Sequence, residues 1–365
     1  MSTDKTLTLA PAVFAVNRTY HIMVYSETPA FMWVKIGDKC YYDESNGVFR
    51  SDTIVHRMIV PMEELDALGE YTICERILIE RKPYFTETAD VNEYTYSFRP
   101  VKEGNARAYH IGDAHNWVTE PVAASETFGE FDFLILNGDI PDHSGAIENC
   151  ITIFEIASAI THGNIPVVFA RGNHDMRGIY AEHFGEYTPS DNGKTYYTFR
   201  LGSIWGLILD CGEDKVDEHE EYGYSICCHA FRERQTQFIK DVIARADSEY
   251  LEEGIAHKVV VCHNPFTYIR APPFDIENDI YQEWVELLNE NIKPDVIMSA
   301  HKHEFAIYRP GGEGDHRGQS CPTVIGSVIK KNEKYYAGAG YTFDENGITV
   351  TFTDNKGEVV GGDRI

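Results

Sequence analysis

Along the first hundred residues apolar and polar positions alternate with a period of two. The pattern runs through Tyr20–Tyr25, Phe31–Ile36 and Tyr71–Glu80, where Tyr71, Ile73, Ile77 and Ile79 share one parity. That parity is the mark of strands with a single buried face. Turn-rich pieces (SETP, IGDK, DESNG) separate the runs, so residues 1–100 are expected to form a small antiparallel β-sandwich. From residue 107 the pattern changes. Short, wholly apolar runs occur at Arg107–Ile111, Phe131–Leu136, Pro166–Ala170, Ile204–Leu209, Lys258–Cys262 and Asp295–Ser299. Between them lie segments with helical i, i+3/i+4 apolar spacing: Ile147, Ile151 and Phe154; Phe238, Val242 and Ala246; Ile280, Trp284 and Leu287. Residues 101–365 therefore read as an α/β layer fold with a largely buried sheet. The tail, Ala337–Val360, returns to strands, with turn signals at Glu345–Gly347 and Asp354–Gly357.

Composition narrows the function classes. A formal net charge of −26 over 365 residues argues against a basic surface for a polynucleotide or an anionic membrane. With 12% aromatic and 43% hydrophobic residues, the chain is too rich in core-forming side chains to be a disordered acidic segment. No run approaches the roughly 18 apolar residues of a membrane span. The start, MSTDKTLTLAPAV, lacks the basic and apolar regions of a leader. The eight cysteines show no C-x-x-C spacing and read as buried thiols in a reducing compartment, so a cytoplasmic location is expected. Cys227-Cys228 reads as core or turn. The acidic run Glu213–Glu221, which includes His219, reads as a solvated loop. Ala271-Pro272-Pro273-Phe274 reads equally as a rim element or a plain connection.

The candidate chemistry lies where apolar runs stop. Five polar clusters occupy such positions: Gly112-Asp113-Ala114-His115, Asn137-Gly138-Asp139-Ile140-Pro141-Asp142, Arg171-Gly172-Asn173-His174-Asp175, Cys262-His263-Asn264-Pro265 and Ala300-His301-Lys302-His303. In open α/β sheets ligands collect beyond the carboxyl ends of the strands, so these clusters can meet in space. Asp113/His115 and His301/His303 have i, i+2 spacing, which on an extended chain puts both side chains on one side and Lys302 on the other. An inventory of imidazole, carboxylate and amide suits Zn, Fe or Mn rather than a soft thiolate site. Eight donor slots, with one carboxylate shared, would fill two neighbouring sites, of the kind that sit roughly 3.5–4 Å apart in hydrolytic metal pairs.

The ordered set D-x-H, G-D-x-x-D, G-N-H-D, a lone His after a strand, and H-x-H resembles the calcineurin-like metallophosphoesterases over about residues 107–308. The resemblance implies a four-layer sandwich of two mixed sheets flanked by helices, preceded here by the small all-β domain. It also implies two divalent or trivalent metal ions, Mn, Fe or Zn. One would be held by Asp113, His115, Asp139 and His303, the other by Asp139 (bridging), Asn173, His263 and His301. His174 would be the general acid for the leaving oxygen, with the Asp142 carboxylate orienting and charging it. Asp142 reads equally as a cap for a helix starting near Ser144, and Asp175 as a structural turn residue. Arg171, Arg177 and His143 are candidate substrate contacts, although salt bridging is an equal reading for both arginines.

The sequence also departs from the family pattern. Ala300 stands where the family usually has Gly, a small-for-small change. His143-Ser144 follows Asp142 where the protein Ser/Thr phosphatases have Arg-Gly. The two-part layout is similar to that of purple acid phosphatases, but His115 stands where they need Gly and Asp142 where they need a ligand Tyr. Leu65–Tyr71 resembles the tyrosine corner of fibronectin type III-like domains. The expected function is hydrolysis of a small or protein-borne phosphomonoester by metal-bound hydroxide. A phosphodiesterase acting on a cyclic nucleotide or another small diester is the alternative, and a metal-bearing scaffold without turnover a remote one. The substrate is a phosphoester, with no polynucleotide and no membrane partner, and residues 1–100 are open to oligomer or protein contacts.

Overall fold

The computed structural model describes residues 7–365; residues 1–6, on which part of the leader reading rests, lie outside it. Each apolar run after residue 106 forms a strand: Ala106–Ile111, Phe133–Asn137, Pro166–Ala170, Ile204–Ile208, His257–Val261 and Val296–Ser299. The first three are parallel neighbours, and so are the last three. Thr323–Lys330 joins the two groups. Its first half pairs parallel to Val296–Ser299, and its second half pairs antiparallel to Tyr335–Asp344, which in turn pairs with Ala106–Ile111.

Helices Thr119–Phe128 and Ile147–Thr161 pack outside the first sheet, burying Ala124, Ile153, Phe154 and Ala157. Helices Cys228–Ala244 and Asn278–Leu287 cover the second, burying Ile239, Val242 and Trp284. Between the sheets lie Ile135, Val168, Ile208, Val259, Met298 and Tyr341, all buried. Strands such as FLILN and PVVFA are thus buried on both faces, which is why they read as continuous apolar runs rather than alternations. Thr119–Phe128 has no strong apolar stripe and was not anticipated; it is held by packing against Tyr335–Asp344 and Gly347–Asp354.

The N-terminal strands form a sandwich. One sheet has the order Lys39–Tyr42, Ala30–Ile36, Glu70–Glu80, Glu87–Ser97. The other consists of Ala12–Val16, Thr19–Tyr25 and Val55–Pro61, and it does not end there. Ala12–Val16 pairs parallel with Pro166–Ala170, so this sheet continues the catalytic one without a break. All five residues of Ala12–Val16 are buried. Val13 and Ala15 face the core between the sheets, and Phe14 packs edge-on against Phe154 with ring centroids 6.3 Å apart. Burial of an aromatic ring of this size contributes roughly 2–3 kcal/mol.

The Leu65–Tyr71 motif also differs from its expected form. Helix Met62–Leu68 fills the corner, and the Tyr71 hydroxyl donates across to the Gly163 carbonyl at 2.8 Å rather than back onto its own turn. Arg57 adds hydrogen bonds to the Gly185 and Thr188 carbonyls. Among the described residues no helix is long and apolar enough to cross a membrane.

Among the histidines buried inside these sheets, His21 and His110 are held far below their ordinary value. Burial together with the nearby Arg57 charge lowers His21 to about 3, and burial lowers His110 to about 3 despite the opposing Asp113. Both are neutral in the folded chain, whereas in the unfolded chain they bind a proton below their ordinary value near 6.5. Their contribution is fully present above pH 6.5 and is lost as pH falls towards 3, at about 1.4 kcal/mol per pH unit for each. The urea midpoint should fall steadily from pH 6.5 to 5, and His21→Asn should remove about half of the part of that slope due to these two histidines. An unchanged slope in the variant would remove His21 from this role.

Candidate metal centre and active site

Six strands deliver the site from their carboxyl ends, and they do so through strained backbone. Asp113, His115, Asp139, His301 and His303 all have φ between 45° and 69°, a region non-glycine residues rarely occupy and one that costs about 1–3 kcal/mol each. Convergence of the i, i+2 pairs thus comes from left-handed turns and not from strand alternation. Lys302 does point away, over the Tyr268 ring at 3.7 Å. Close approach of the loops requires glycine at two places. A Cβ on Gly138 would fall 2.5 Å from Gly172 and 2.6 Å from His263 Nδ1, and one on Gly172 would overlap Asp139. Asp175 Oδ2 accepts from the Gly172 amide at 2.7 Å and pins that turn.

Each candidate ligand is held by one atom and presents another. Asp113 Oδ2 accepts from the His301 amide at 2.8 Å and from Ser327. Its Oδ1 is buried without a hydrogen-bond partner, 3.3 Å from His303 Nε2 and 3.7 Å from His263 Nε2. Asp139 Oδ1 accepts from the His174 amide at 2.8 Å, leaving Oδ2 at 3.1 Å from His263 Nε2. The His263 Nδ1–H donates to the Asn137 carbonyl at 2.6 Å, so its buried Nε2 is the atom turned towards the carboxylates. His115 Nε2 and His303 Nε2 meet at 3.3 Å. One amide atom of Asn173 lies 2.9 Å from His301 Nδ1 and 3.3 Å from Asp139 Oδ2. With oxygen there, three lone-pair donors face one another, and a cation reconciles them.

These atoms fall into two groups, Asp113/His115/His303 and Asp139/His263/His301, each with its ligand atoms within 4.8 Å of one another. Burial opposes the charge on Asp113 and Asp139, but the neighbouring histidines outweigh it. They hold Asp113 well below the carboxylate range and Asp139 at about 2. Burial likewise opposes a proton on His263, yet the two carboxylates raise it to about 10. Such a pocket of buried negative charge and orphaned lone pairs fits a pair of metal ions.

The remaining predicted residues are placed as follows. His174 lies beside both groups, with Nδ1 at 2.7 Å from the main-chain carbonyl of Asp142 and Nε2 at 3.9 Å from Asp139 Oδ2. The Asp142 carboxylate lies within 4.8 Å of ring nitrogens of both His115 and His174, at 3.1 Å from His115 Nδ1 and 3.4 Å from Lys331 Nζ, while the Asp142 main-chain carbonyl accepts the hydrogen bond of His174. Arg171 is engaged by buried Asp210 at 2.6 Å. Arg177 grips Glu213 with two nitrogens, at 2.7 and 2.9 Å, and puts Nη1 at 3.2 Å from His174 Nε2. His143 is exposed at the mouth and accepts from the Gly145 amide.

The acidic run is only partly a solvated loop. Glu213, Asp214 and Lys215 are buried. Asp214 Oδ2 faces His301 Nε2 at 3.4 Å, and Arg270 Nη1 contacts both groups. These residues follow Ile204–Ile208, a sixth strand end, and position in the fold was the signal that could have identified them. Phe274, from the Pro-Pro stretch, stacks under Arg270 at 4.0 Å and so belongs to the rim.

The family model for calcineurin-like phosphoesterases matches residues 106–305, more than half of the chain, and the chain belongs to that family. It is a metal-dependent phosphoric ester hydrolase. A purple acid phosphatase from yellow lupin (Lupinus luteus) seeds is similar in structure, with a TM-score of 0.57 at 13% identity, covering 97% of this chain and 73% of that one. That likeness concerns the fold, including the all-β part ahead of the catalytic layers. A Bifidobacterium dentium β-glucuronidase matches 80% of this chain and 46% of that one at 9% identity, with a TM-score of 0.23 that carries no argument. A search of the curated proteins finds no match.

The Asp214 carboxylate orients the ring of His301, and outer partners of this kind change metal affinity by about 10–100-fold. Asp214→Asn should therefore weaken retention of one metal ion of the pair by that order while the melting temperature stays within a few degrees. Metal content after dialysis against a graded chelator is the measurement. Retention equal to that of the parent protein would refute the role.

Proposed function

We propose that the chain is a phosphomonoesterase acting on a small or protein-borne phosphoester. Two metal ions, of Mn, Fe or Zn, would be held by Asp113, His115, Asp139 and His303 and by Asp139, Asn173, His263 and His301. The observation that carries this reading is the meeting of orphaned lone pairs at one buried point, with His174 Nε2 beside it. When bound, the metal pair supplies charge stabilisation for the phosphoryl oxygens and activation of the attacking water.

The protein's own residues supply the rest. The Asp142 carbonyl fixes the His174 tautomer through Nδ1–H, so that Nε2 is the atom able to pass a proton to the departing oxygen. The Asp142 carboxylate, 3.1 Å from His115 Nδ1 and close to His174, adds negative charge beside both rings. Arg177, its charge balanced by Glu213, stands beside His174 where an oxygen of the substrate would arrive. His143 is placed at the mouth as a substrate contact. Arg171 supports the fold through Asp210 and carries less of that role than its sequence position implied. The free thiols fit a cytoplasmic setting, and the acidic surface disfavours a polynucleotide substrate. Residues 1–100 are proposed as a distinct unit available for protein contacts beyond its seam with residues 101–365.

His174→Asn should lower kcat by about 100-fold or more, as removal of a general acid does, while both metal ions stay bound. Steady-state turnover of phenyl phosphate together with metal analysis tests this, and unchanged turnover would remove His174 from the acid role. The same assay on diphenyl phosphate separates the two esterase readings. Preference for the diester would replace the phosphomonoesterase assignment by the phosphodiesterase one.

A further inference from the structure

A cleft of about 590 Å³ is lined in part by Arg177, whose Nη1 lies 3.2 Å from His174 Nε2. Met176, Ile179, Tyr222, Ile226 and Cys227 line it together with the Arg177–Glu213 pair. Ile179, a large apolar lining residue, is 64% exposed. Apolar side chains interspersed with fixed polar groups, next to a candidate reacting centre, are the usual form of a small-molecule subsite.

Its charges are as informative as its walls. Both arginines that touch the cleft are already engaged, Arg177 by Glu213 and Arg171 by Asp210. Glu182 and Glu221 stand at the mouth, ahead of Asp217, Glu218 and Glu220. A second anionic group on an occupant would meet these carboxylates and find no unengaged arginine among the lining residues. An uncharged or cationic group meets no such penalty.

We infer that this cleft receives the leaving group, and that the substrate is a phosphomonoester of an alcohol or phenol with an apolar body and no second negative charge. The inference rests on the phosphomonoesterase reading. It follows from proton placement: the departing oxygen must lie within hydrogen-bond reach of His174 Nε2, and Arg177, whose Nη1 is 3.2 Å from that atom, is a lining residue of this cleft. The reaction balances as hydrolysis. Water oxygen bonds to phosphorus, the phosphorus–ester oxygen bond breaks with its electron pair, and the proton from His174 completes the free alcohol.

The test uses three aryl phosphates whose phenols leave equally well, with para substituents of propyl, 2-aminoethyl or 2-carboxyethyl, and the three matching arylmethylphosphonates. The propyl and aminoethyl esters should show kcat/KM values about tenfold or more above that of the carboxyethyl ester, and calorimetric binding of the phosphonates should follow the same order. In the double variant Ile179→Ser, Ile226→Ser the KM for the propyl ester should rise about tenfold while turnover of methyl phosphate is unchanged. Equal kcat/KM for all three esters, or an unchanged KM in the variant, overturns the subsite and leaves phosphomonoester hydrolysis standing. Phosphonates that bind in the expected order with no ester hydrolysed would support the subsite and overturn the hydrolytic reading instead.

Discussion

The architecture turns on one electrostatic constraint: buried carboxylates and imidazoles brought to a single point. Asp113 Oδ1 and His263 Nε2 are buried there without a hydrogen-bond partner, and positive charge between them offsets the burial of Asp113 and Asp139. Burying such groups without that charge costs several kcal/mol each. The chain accepts that cost, together with five left-handed backbone positions at the ligands themselves, because the surrounding layers over-determine the loops. Two sheets buried on both faces fix where each strand stops. Glycines 138 and 172 then let loops from neighbouring strands cross at contact distance.

The sandwich contributes to that over-determination. Because Ala12–Val16 pairs with Pro166–Ala170, the strand that leads into Asn173 and His174 is flanked on both sides by sheet rather than left as an edge. Tyr71 fastens the opposite sheet of the sandwich to Gly163, just ahead of that same strand. A segment that reads as an accessory domain is thereby a structural neighbour of the catalytic turn.

Much of this was legible in the sequence, for physical reasons that also explain what was not. Doubly buried strands leave short apolar runs, and polar residues directly after them can only be at strand ends, so the candidate ligands were readable one by one. The run Ala10–Val16 carries the same mark of two buried faces, yet its position among alternating strands concealed that it belongs to both parts. Sequence spacing cannot distinguish a side chain from its own carbonyl, so the carbonyl of Asp142 as hydrogen-bond partner of His174 was not readable in advance. The Tyr71 hydroxyl found a distant carbonyl because helix Met62–Leu68 occupies the corner it would otherwise have closed. The buried acids Glu213 and Asp214 were concealed by charge: an acidic run looks solvated unless its cationic partners, here Arg177, Lys215 and Arg270, are known to lie opposite.

That acidic run ties the site together. Glu213 and Asp214 are adjacent in sequence and serve opposite halves of the centre. Glu213 holds Arg177 beside His174, where the leaving oxygen would depart, and Asp214 faces His301 and Arg270 on the candidate metal side. The Tyr222 hydroxyl donates towards both carboxylates, at 3.1 and 3.2 Å, while its ring forms a wall of the adjoining cleft. Any group seated against Tyr222 therefore touches the residue that locks both acids in place. The chain's excess negative charge, which argued against an anionic partner at first sight, is used locally to neutralise two arginines and to leave the cations at the centre as the unbalanced positive charge. In the proposed reading a phosphate would be drawn to that one point of an otherwise anionic surface, and an occupant of the cleft would be selected for lacking a second such charge.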